Sequence, residues 1–445
     1  MKRSGQTLFD KGYRAGYERG KTAGYEDFEQ PFDGTSIIIP TFNKKDLLLQ
    51  CLDSIEANTP FPYELIIVDD GSDDGTPEAL RTRRRIRVAV HERNKGFAGA
   101  VNTGLMMAKG KTVLILNNDV IVTEHWLENM LTCLHSSPDI GAVGPVTNYI
   151  GGEQQIEVPY RDLTGMREFA ASRNRLDQTK WKETERLVGF CLLLRREVVQ
   201  KIGFFDEGFR IGNYEDDDWS ARLRLLGWRL VIAGDSFIHH LGSETIRSLD
   251  ARLFERIEQE NEAYFHLKWG QVHERLRQIE RKRKERGGQA FTDQAPRIEG
   301  CPVQILASSG AGHLYWIDQG MRYRIKNAKM TDLHALHPSA SAIRLSQQTL
   351  RALPFGGEWE IEEAVRALSE AWRGDRPIGE GAVVRIPDGR LFQIDQGAAR
   401  LIWSEYAAEA WGLKNRARTV TAEELAAYPE GWPVLPPIRY NSAEI

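Results

Sequence analysis

Four short apolar runs, each closed by a polar turn, most constrain what this chain can fold into. They cover residues 36–40, 64–68, 87–90 and 112–116. Between them lie stretches with helical spacing: residues 45–56, where Leu48, Leu49, Leu52 and Ile55 recur, and residues 97–108. Continuous apolar strands between helices predict an α/β fold with a mostly parallel sheet and helices on both faces. Ligands in such sheets sit at the carboxyl ends of the strands. The polar turns after the four runs are therefore the candidate site.

Those turns are rich in amides and acids. The first is Pro40-Thr41-Phe42-Asn43 and the second opens Asp69-Asp70-Gly71-Ser72. The third runs from Asn94 and Gly96 to Asn102, and the fourth is Asn117-Asn118-Asp119. Acids repel a diphosphate unless a cation stands between them. They also accept from base and ribose donors. Asp119, at a strand end, suits a divalent cation, because Mg²⁺ and Mn²⁺ favour oxygen ligands.

Taken together, residues 35–270 resemble family 2 glycosyltransferases of the GT-A fold. The carrying motifs are Ser36-Ile-Ile-Ile-Pro-Thr-Phe-Asn43, Val68-Asp-Asp-Gly-Ser72, Asn94-x-Gly96 with Asn102, and Asn117-Asn118-Asp119. Further on come Gly203-Phe-Phe-Asp-Glu-Gly-Phe209, Glu215-Asp216-Asp217-Asp218-Trp219 and His240-x-Gly242-Ser243-x-Thr245. A helix over residues 261–270 would be the family's last. The Asn-Asn-Asp turn and the Glu-Asp-x-Asp block look most like the rhamnosyltransferase-like branch that builds bacterial surface polysaccharides.

The resemblance implies inverting transfer of a sugar from a nucleotide-diphosphate donor to a hydroxyl, on a glycan, lipid-linked or protein acceptor. It implies nucleotide-sugar contacts from Pro40, Thr41, Asn43, Asp70, Asn94, Gly96, Asn102, Asn117 and Asn118, with Asp70 on the base. It implies a Mn²⁺ or Mg²⁺ ion at Asp119 and His240. Asn117 stands where the family's metal motif carries an acid, so this site has one negative charge fewer. The resemblance places the catalytic base in the acid run, at Asp216 by register, with Asp217 the neighbour one position off and Glu215 beside them. Crowded carboxylates raise one another's pKa, which suits a base working near neutrality. The competing reading is that the acids cap a helix over residues 219–226, where the dipole favours negative charge. His239-His240 is expected after a strand at 229–232 and a turn. Trp219, Trp228 and Trp269 read as core, and the five arginines of residues 81–87 as a solvated face.

Other function classes fare less well. Lys+Arg 59 against Asp+Glu 63 shows no basic excess for nucleic acid. The longest apolar run, residues 188–194, is far short of the roughly 18–20 residues a spanning helix needs. Four scattered cysteines and no visible secretory leader fit a reducing cytoplasm, with the inner membrane face as the other expected location. A nucleotidyltransferase would carry a Gly-rich, Lys/Arg-bearing turn after the first strand, which Pro40-Thr41-Phe42-Asn43 lacks. A non-catalytic carbohydrate or nucleotide-sugar binder is the alternative from another class. Asn117 favours it, and Asp119 and Asp216 oppose it.

Four segments are expected. Residues 1–32 form a Gly/Tyr-rich extension and residues 33–270 the GT-A domain. Residues 271–298 form a basic helix and linker, and residues 299–445 a tandem α+β repeat. The repeat is visible as Gly312-His-Leu-Tyr-Trp-Ile-Asp-Gln-Gly320 against Gly389-Arg-Leu-Phe-Gln-Ile-Asp-Gln-Gly397, 77 residues apart. Each copy reads as a hairpin and then a helix with a Ser/Thr cap. The repeat has no acid–base constellation, so it is expected to recruit an acceptor and to be dispensable for the chemical step. The basic stretch 268–286 is expected either to be solvated or to lie against anionic lipid as a peripheral membrane contact.

Overall fold

The computed structural model describes residues 32–242, 251–285, 300–373 and 377–441. The Gly/Tyr-rich segment, Ser243, Thr245 and the linker around 287–296 lie outside them.

A nine-stranded sheet organises the first half, in the order β3-β2-β1-β4-β8-β6-β9-β5, with β7 on β9. Its strands are β1 (Phe32–Thr41), β2 (Tyr63–Asp69), β3 (Ile86–Val90), β4 (Gly110–Leu116), β5 (Val120–Ile121), β6 (Ile140–Thr147), β7 (Trp181–Thr184), β8 (Cys191–Arg195) and β9 (Arg229–His240). The apolar runs are buried on both faces because alternate side chains enter different cores. Ile38, Ile66 and Val68 join one core. Ile37, Ile39, Leu65 and Ile67 join the other. That is the period-2 geometry of a strand covered by helices on each side.

The expected α/β class is the one observed, with one correction to the strand directions. β1 to β4 are parallel, but β8 is antiparallel to both β4 and β6. β5 and β7 are antiparallel to β9. The chain reaches β8 from the carboxyl end of β6 through the excursion 148–190, so it must run back down the sheet.

β9 corrects a second expectation. It is one strand of 12 residues that ends on His239-His240, without the turn read after 232. The register against β6 jumps from Pro145↔Ala233 to Val146↔Phe237, so Gly234, Asp235 and Ser236 bulge out. Bulges bend a strand and re-aim the residues beyond them. This one is anchored by Asp235, whose carboxylate accepts from Trp181 Nε1 at 2.8 Å and Asp177 N at 2.9 Å.

The second half holds two five-stranded sheets with the same connectivity. Their outer strands are β10 (Ile305–Ser308), β13 (Ala342–Arg344) and β14 (Phe355–Trp359) in one, and β15 (Val383–Arg385), β18 (Arg418–Thr419) and β19 (Glu430–Val434) in the other, and the orders are β13-β10-β11-β12-β14 and β18-β15-β16-β17-β19. The central hairpin pairs β11 (Leu314–Asp318) with β12 (Met321–Ile325), and β16 (Leu391–Asp395) with β17 (Ala398–Ile402). Each two-residue turn is Gln-Gly with both φ positive: Gln319 48° and Gly320 68°, Gln396 51° and Gly397 70°. Positive φ at both positions matches the right-handed twist of the flanking strands. Ser346 and Thr421 cap the second α-helix after each hairpin, accepting from Thr349 N and Glu424 N, with the helices Met330–Leu336 and Glu405–Ala410 intervening.

The basic stretch is not one solvated helix. Helix Ala251–Trp269 stops at Gly270, which has φ 60°, and Val272–Glu285 comes next. Lys268 is fully buried and paired with Asp206 and Asp218, so it offers nothing to a lipid surface. Among the described residues, no helix is long and apolar enough to cross a membrane.

Candidate active site

The turns at the carboxyl ends of β1 and β2 clasp each other. Asn43 has φ 55°, donates its N–H to Ser72 Oγ at 2.7 Å, and accepts from Asp73 N at 3.0 Å. Thr41 Oγ1 accepts from Asn118 Nδ2 at 2.7 Å, which ties the first turn to the fourth. Pro40 and Thr41 are buried beneath this clasp.

Asp70 sits one step deeper and organises the third turn. Its carboxylate accepts from Lys95 N and Gly96 N, both at 2.9 Å, and meets His91 Nδ1 at 2.6 Å. Gly96 also takes Asn94 Oδ1 as an acceptor at 2.9 Å. Gly96 has φ 80°, and a Cβ there would lie 3.3 Å from Ile211 N. The glycine thus lets the 94–96 turn close onto the 210–214 turn, where Phe97 N donates to Ile211 O at 3.0 Å. Asn102 does not face the groove, which corrects its expected nucleotide contact. It is fully buried, donates to Phe205 O and Glu207 Oε1, and accepts from Phe205 N.

Asp119 and His240 converge through strand pairing. Val120 of β5 lies opposite His240 of β9, and Leu241 N donates to Asp119 O at 2.9 Å. Asn148 fixes the His240 backbone from both sides, at 2.8 and 3.0 Å. The ring then places Nδ1 2.6 Å from the Tyr149 carbonyl and Nε2 3.1 Å from Asp119 Oδ1. A carbonyl only accepts, so Nδ1 carries a proton. In the neutral ring, the Nε2 lone pair then faces a carboxylate oxygen. Two acceptors at that distance need a positive charge between or on them. Burial works against a charged ring here, yet Asp119 and the Tyr149 carbonyl hold the His240 pKa above its ordinary value.

The pair therefore fits a hard divalent cation. Among the described residues, no third His, Cys, Asp or Glu joins it. A cation here would have two protein ligands, and a bound diphosphate and water would complete its shell, the usual habit of Mg²⁺.

The acids begin a helix, Glu215–Leu225, rather than preceding one over 219–226. Tyr214 enters it at φ 72°, and Asn261 braces the strained turn by bonding Arg210, Gly212 and Asn213. Three of the four acids have partners, and Arg186, whose Nη2 lies 3.8 Å from Asp216 Oδ2, is shared by two of them. Asp216 Oδ2 accepts from Gly189 N at 2.9 Å. Asp217 meets Arg186 Nε at 2.7 Å. Asp218 is fully buried against Lys268, Arg222 and Trp269 Nε1. Glu215 is buried, and its Oε2 has no hydrogen-bond partner among the described residues. Burial first, and then the Asp216 charge, push Glu215 well above the carboxylate range and Asp217 up to about 7. Asp218 goes the other way: burial would raise it, but the Lys268 and Arg222 charges win.

Gly189 and Phe190 join the two halves of the site. Gly189 N holds Asp216. Phe190 O accepts from Asn117 N at 2.8 Å, and the Phe190 ring stacks on His240 with centroids 5.9 Å apart. Trp219 and Trp269 are core, as expected, and Trp228 is partly buried against the same sheet's core, with Lys201 over its ring. Sequence reading missed Arg186, Phe190 and Tyr149. They lie in or beside the irregular stretch 148–190, where no periodicity marks a side chain's direction.

Residues 36–203 match the family model "Glycosyl transferase family 2". The match lies within the α/β half of the chain. Curated relatives include a chondroitin synthase from Pasteurella multocida, 29% identical over 46% of this chain and 24% of the relative. Glycosyltransferase AglE from Haloferax volcanii is 25% identical over 45% of this chain and 64% of the relative. The chain thus spans less than two thirds of the length of either. Among solved structures, a mannosyltransferase from Pyrobaculum calidifontis, in complex with GDP-Man and Mn²⁺, is 21% identical. Its TM-score is 0.37, covering 61% of this chain and 82% of that one.

Proposed function

We propose that the protein transfers a sugar, with inversion, from a nucleotide-diphosphate donor to a hydroxyl acceptor. The observation that carries this is the bridge Gly189-Phe190, which links a carboxylate, Asp216, to the cation-fitting pair Asp119–His240. Of the four acids, Asp216 is the one tied to that segment. Asp218 is neutralised in the core, and Asp217 takes the closer contact of Arg186, at 2.7 Å against 3.8 Å for Asp216.

In this reading Pro40, Thr41, Asn43 and Asn118 form the wall that meets the nucleotide. Asp70 acts on it chiefly by holding Lys95 and Gly96 in place. Asn117 presents the strand end next to Asp119. A bound Mg²⁺ or Mn²⁺ would supply charge stabilisation to the departing diphosphate. Asp216 takes the proton from the acceptor hydroxyl as its oxygen attacks the anomeric carbon from the face opposite the leaving group. Glu215, kept protonated by burial, adds no second negative charge beside it.

A role in bacterial surface polysaccharide synthesis, in the rhamnosyltransferase-like manner, belongs to the same reading. A further relative is named as an O-antigen biosynthesis protein, from Myxococcus xanthus, 28% identical over 47% of this chain and 18% of the relative. The working site would be the cytoplasmic side, where nucleotide sugars are available. The test is a panel of nucleotide sugars with soluble glycan acceptors, reading nucleoside diphosphate release with and without Mn²⁺. The anomeric configuration of the product is then read by NMR. A retained anomer would overturn the inverting mechanism, and the absence of release from every donor would overturn transfer itself.

A further inference from the structure

The last residues of the described chain do not end on the second repeat. Residues 435–441 leave β19 (Glu430–Val434) and run back across the α/β domain. Glu207 N donates to Arg439 O at 2.9 Å, and Arg439 N donates to Asp206 Oδ1 at 3.2 Å. Asn441 N donates to Glu207 Oε2 at 2.7 Å, and its side-chain amide donates to Glu207 O at 2.8 Å. Between them the Tyr440 ring is buried in the core of the large sheet, edge-on to Phe204.

Both residues that the tail grips lead into the site. Glu207 Oε1 accepts from Asn102, on the helix that begins at Gly96. Asp206 Oδ2 lies 2.5 Å from Lys268 Nζ, whose other partner is Asp218 of the acid helix, also at 2.5 Å. The second repeat adds a parallel grip on the same lysine's segment. Ser404 Oγ donates to Lys268 O, and Trp403 Nε1 donates to Trp269 O. Arg439 stacks over Tyr264 and Tyr406 at 4.8 and 5.3 Å.

We propose that the tail Arg439-Tyr440-Asn441 and the Trp403-Ser404 segment of the second repeat are positioning parts of the transfer site. Through Asp206 and Glu207 they set the acid helix and the Gly96 turn. This rests on the transfer reading and reverses the expectation that the repeats are dispensable for chemistry. The tail touches no reacting group, so its residues are positioning residues.

The test uses the full chain carrying Asn441→Pro, which removes both donors to Glu207. Val420→Ala is the control, because it opens the core of the same repeat away from the tail. Two readouts are taken with a nucleotide sugar, Mn²⁺ and a glycan acceptor: kcat with donor KM, and amide hydrogen exchange over residues 94–102 and 210–218. Asn441→Pro should lower kcat by about 10- to 100-fold, the scale of an ångström of misplacement. Donor KM should move by less than about threefold, and exchange in both segments should rise. Val420→Ala should leave kcat and those segments unchanged, even with a lower melting temperature. An Asn441→Pro protein with wild-type kcat and exchange would overturn the proposal. So would a Val420→Ala protein with the same losses, because that pattern reports general loosening. If Asn441→Pro does not fold, Asn441→Ala, which deletes only the side-chain donor, is judged by the same two readouts. If the unsubstituted chain releases no nucleoside diphosphate, the transfer reading fails, and the exchange arm still decides whether the tail holds these segments.

Discussion

Nε2 of His240 stands 3.1 Å from Oδ1 of Asp119, across 121 positions of sequence. Each residue stands in a local motif of its own, but nothing local in the chain says that the two meet. What joins them is the antiparallel pairing of β5 with β9, after a three-residue bulge has re-aimed the end of β9. The Tyr149 carbonyl then orients the ring, as outer-shell groups do for metal-binding histidines.

Asp119→Ala is expected to abolish Mn²⁺-stimulated binding of a nucleoside diphosphate. His240→Ala should weaken it less, because the carboxylate carries the charge. Asn148→Ala, which loosens the His240 backbone, should cost roughly 10-fold, the low end for an outer-shell group. Calorimetry with UDP or GDP, with and without Mn²⁺, checks all three. Metal-independent affinity unchanged in Asp119→Ala would count against a cation at this pair.

Asp216→Asn should lower kcat by about 10²- to 10⁴-fold while leaving nucleotide binding intact. An amide keeps the shape and still accepts from Gly189 N, so the loss would be that of the base. Asp217→Asn should be milder, since it removes only the nearer of the two carboxylates paired with Arg186. The reverse ranking would shift the base by one position.

Asp217 also gives a pH signature. Its pKa is raised in the folded protein to about 7 from 3.8, by burial first and then by the Asp216 charge. The groups facing it are Arg186, Asp216 and Asp218. Between these two values the folded state holds a proton that the unfolded state has lost. Stability from this group is therefore present at pH 4 and declines as pH rises through 7. Asp217→Asn should flatten that decline, measured as melting temperature against pH from 4 to 8. A steeper decline in the variant would contradict the assignment.

The layered sheet was legible in the sequence because its apolar runs are continuous and its turns carry glycine and asparagine at strand ends. The acid cluster and Asp119 were legible for the same reason: each is local. Asn102 was misread because a buried amide that braces two loops and an amide that meets a ligand look alike in a motif. Lys268 was misread because a basic stretch gives no sign of two buried carboxylates arriving from positions 206 and 218. The direction of β8 and the bulge in β9 depend on how the excursion 148–190 returns, which no local pattern encodes.

Gly96→Ala tests the contact between the third turn and the acid helix. Its φ of 80° disfavours any side chain, and a Cβ would press on Ile211 N. The left-handed conformation alone costs roughly 1–2 kcal/mol for a residue other than glycine. The variant should lose about that much stability in urea unfolding and bind nucleoside diphosphate more weakly. Unchanged binding would separate the 94–96 turn from the nucleotide.

Lys268→Met tests what holds the acid helix down. Lys268, Asp206 and Asp218 are all fully buried, and the lysine lies 2.5 Å from each acid. Methionine keeps the length of the stem and removes the charge. Asp218 would keep Arg222 at 2.8 Å, but Asp206 would be left with only neutral donors. Breaking a buried ion pair from one side typically costs roughly 3–5 kcal/mol, because a charge remains buried without its partner. Removing that charge as well should restore part of the loss, so Lys268→Met with Asp206→Asn should be more stable than Lys268→Met alone. Denaturant midpoints for the single and double variants decide it. Equal midpoints would mean that Asp206 is neutralised by another group, with Arg439 the nearest cation to examine.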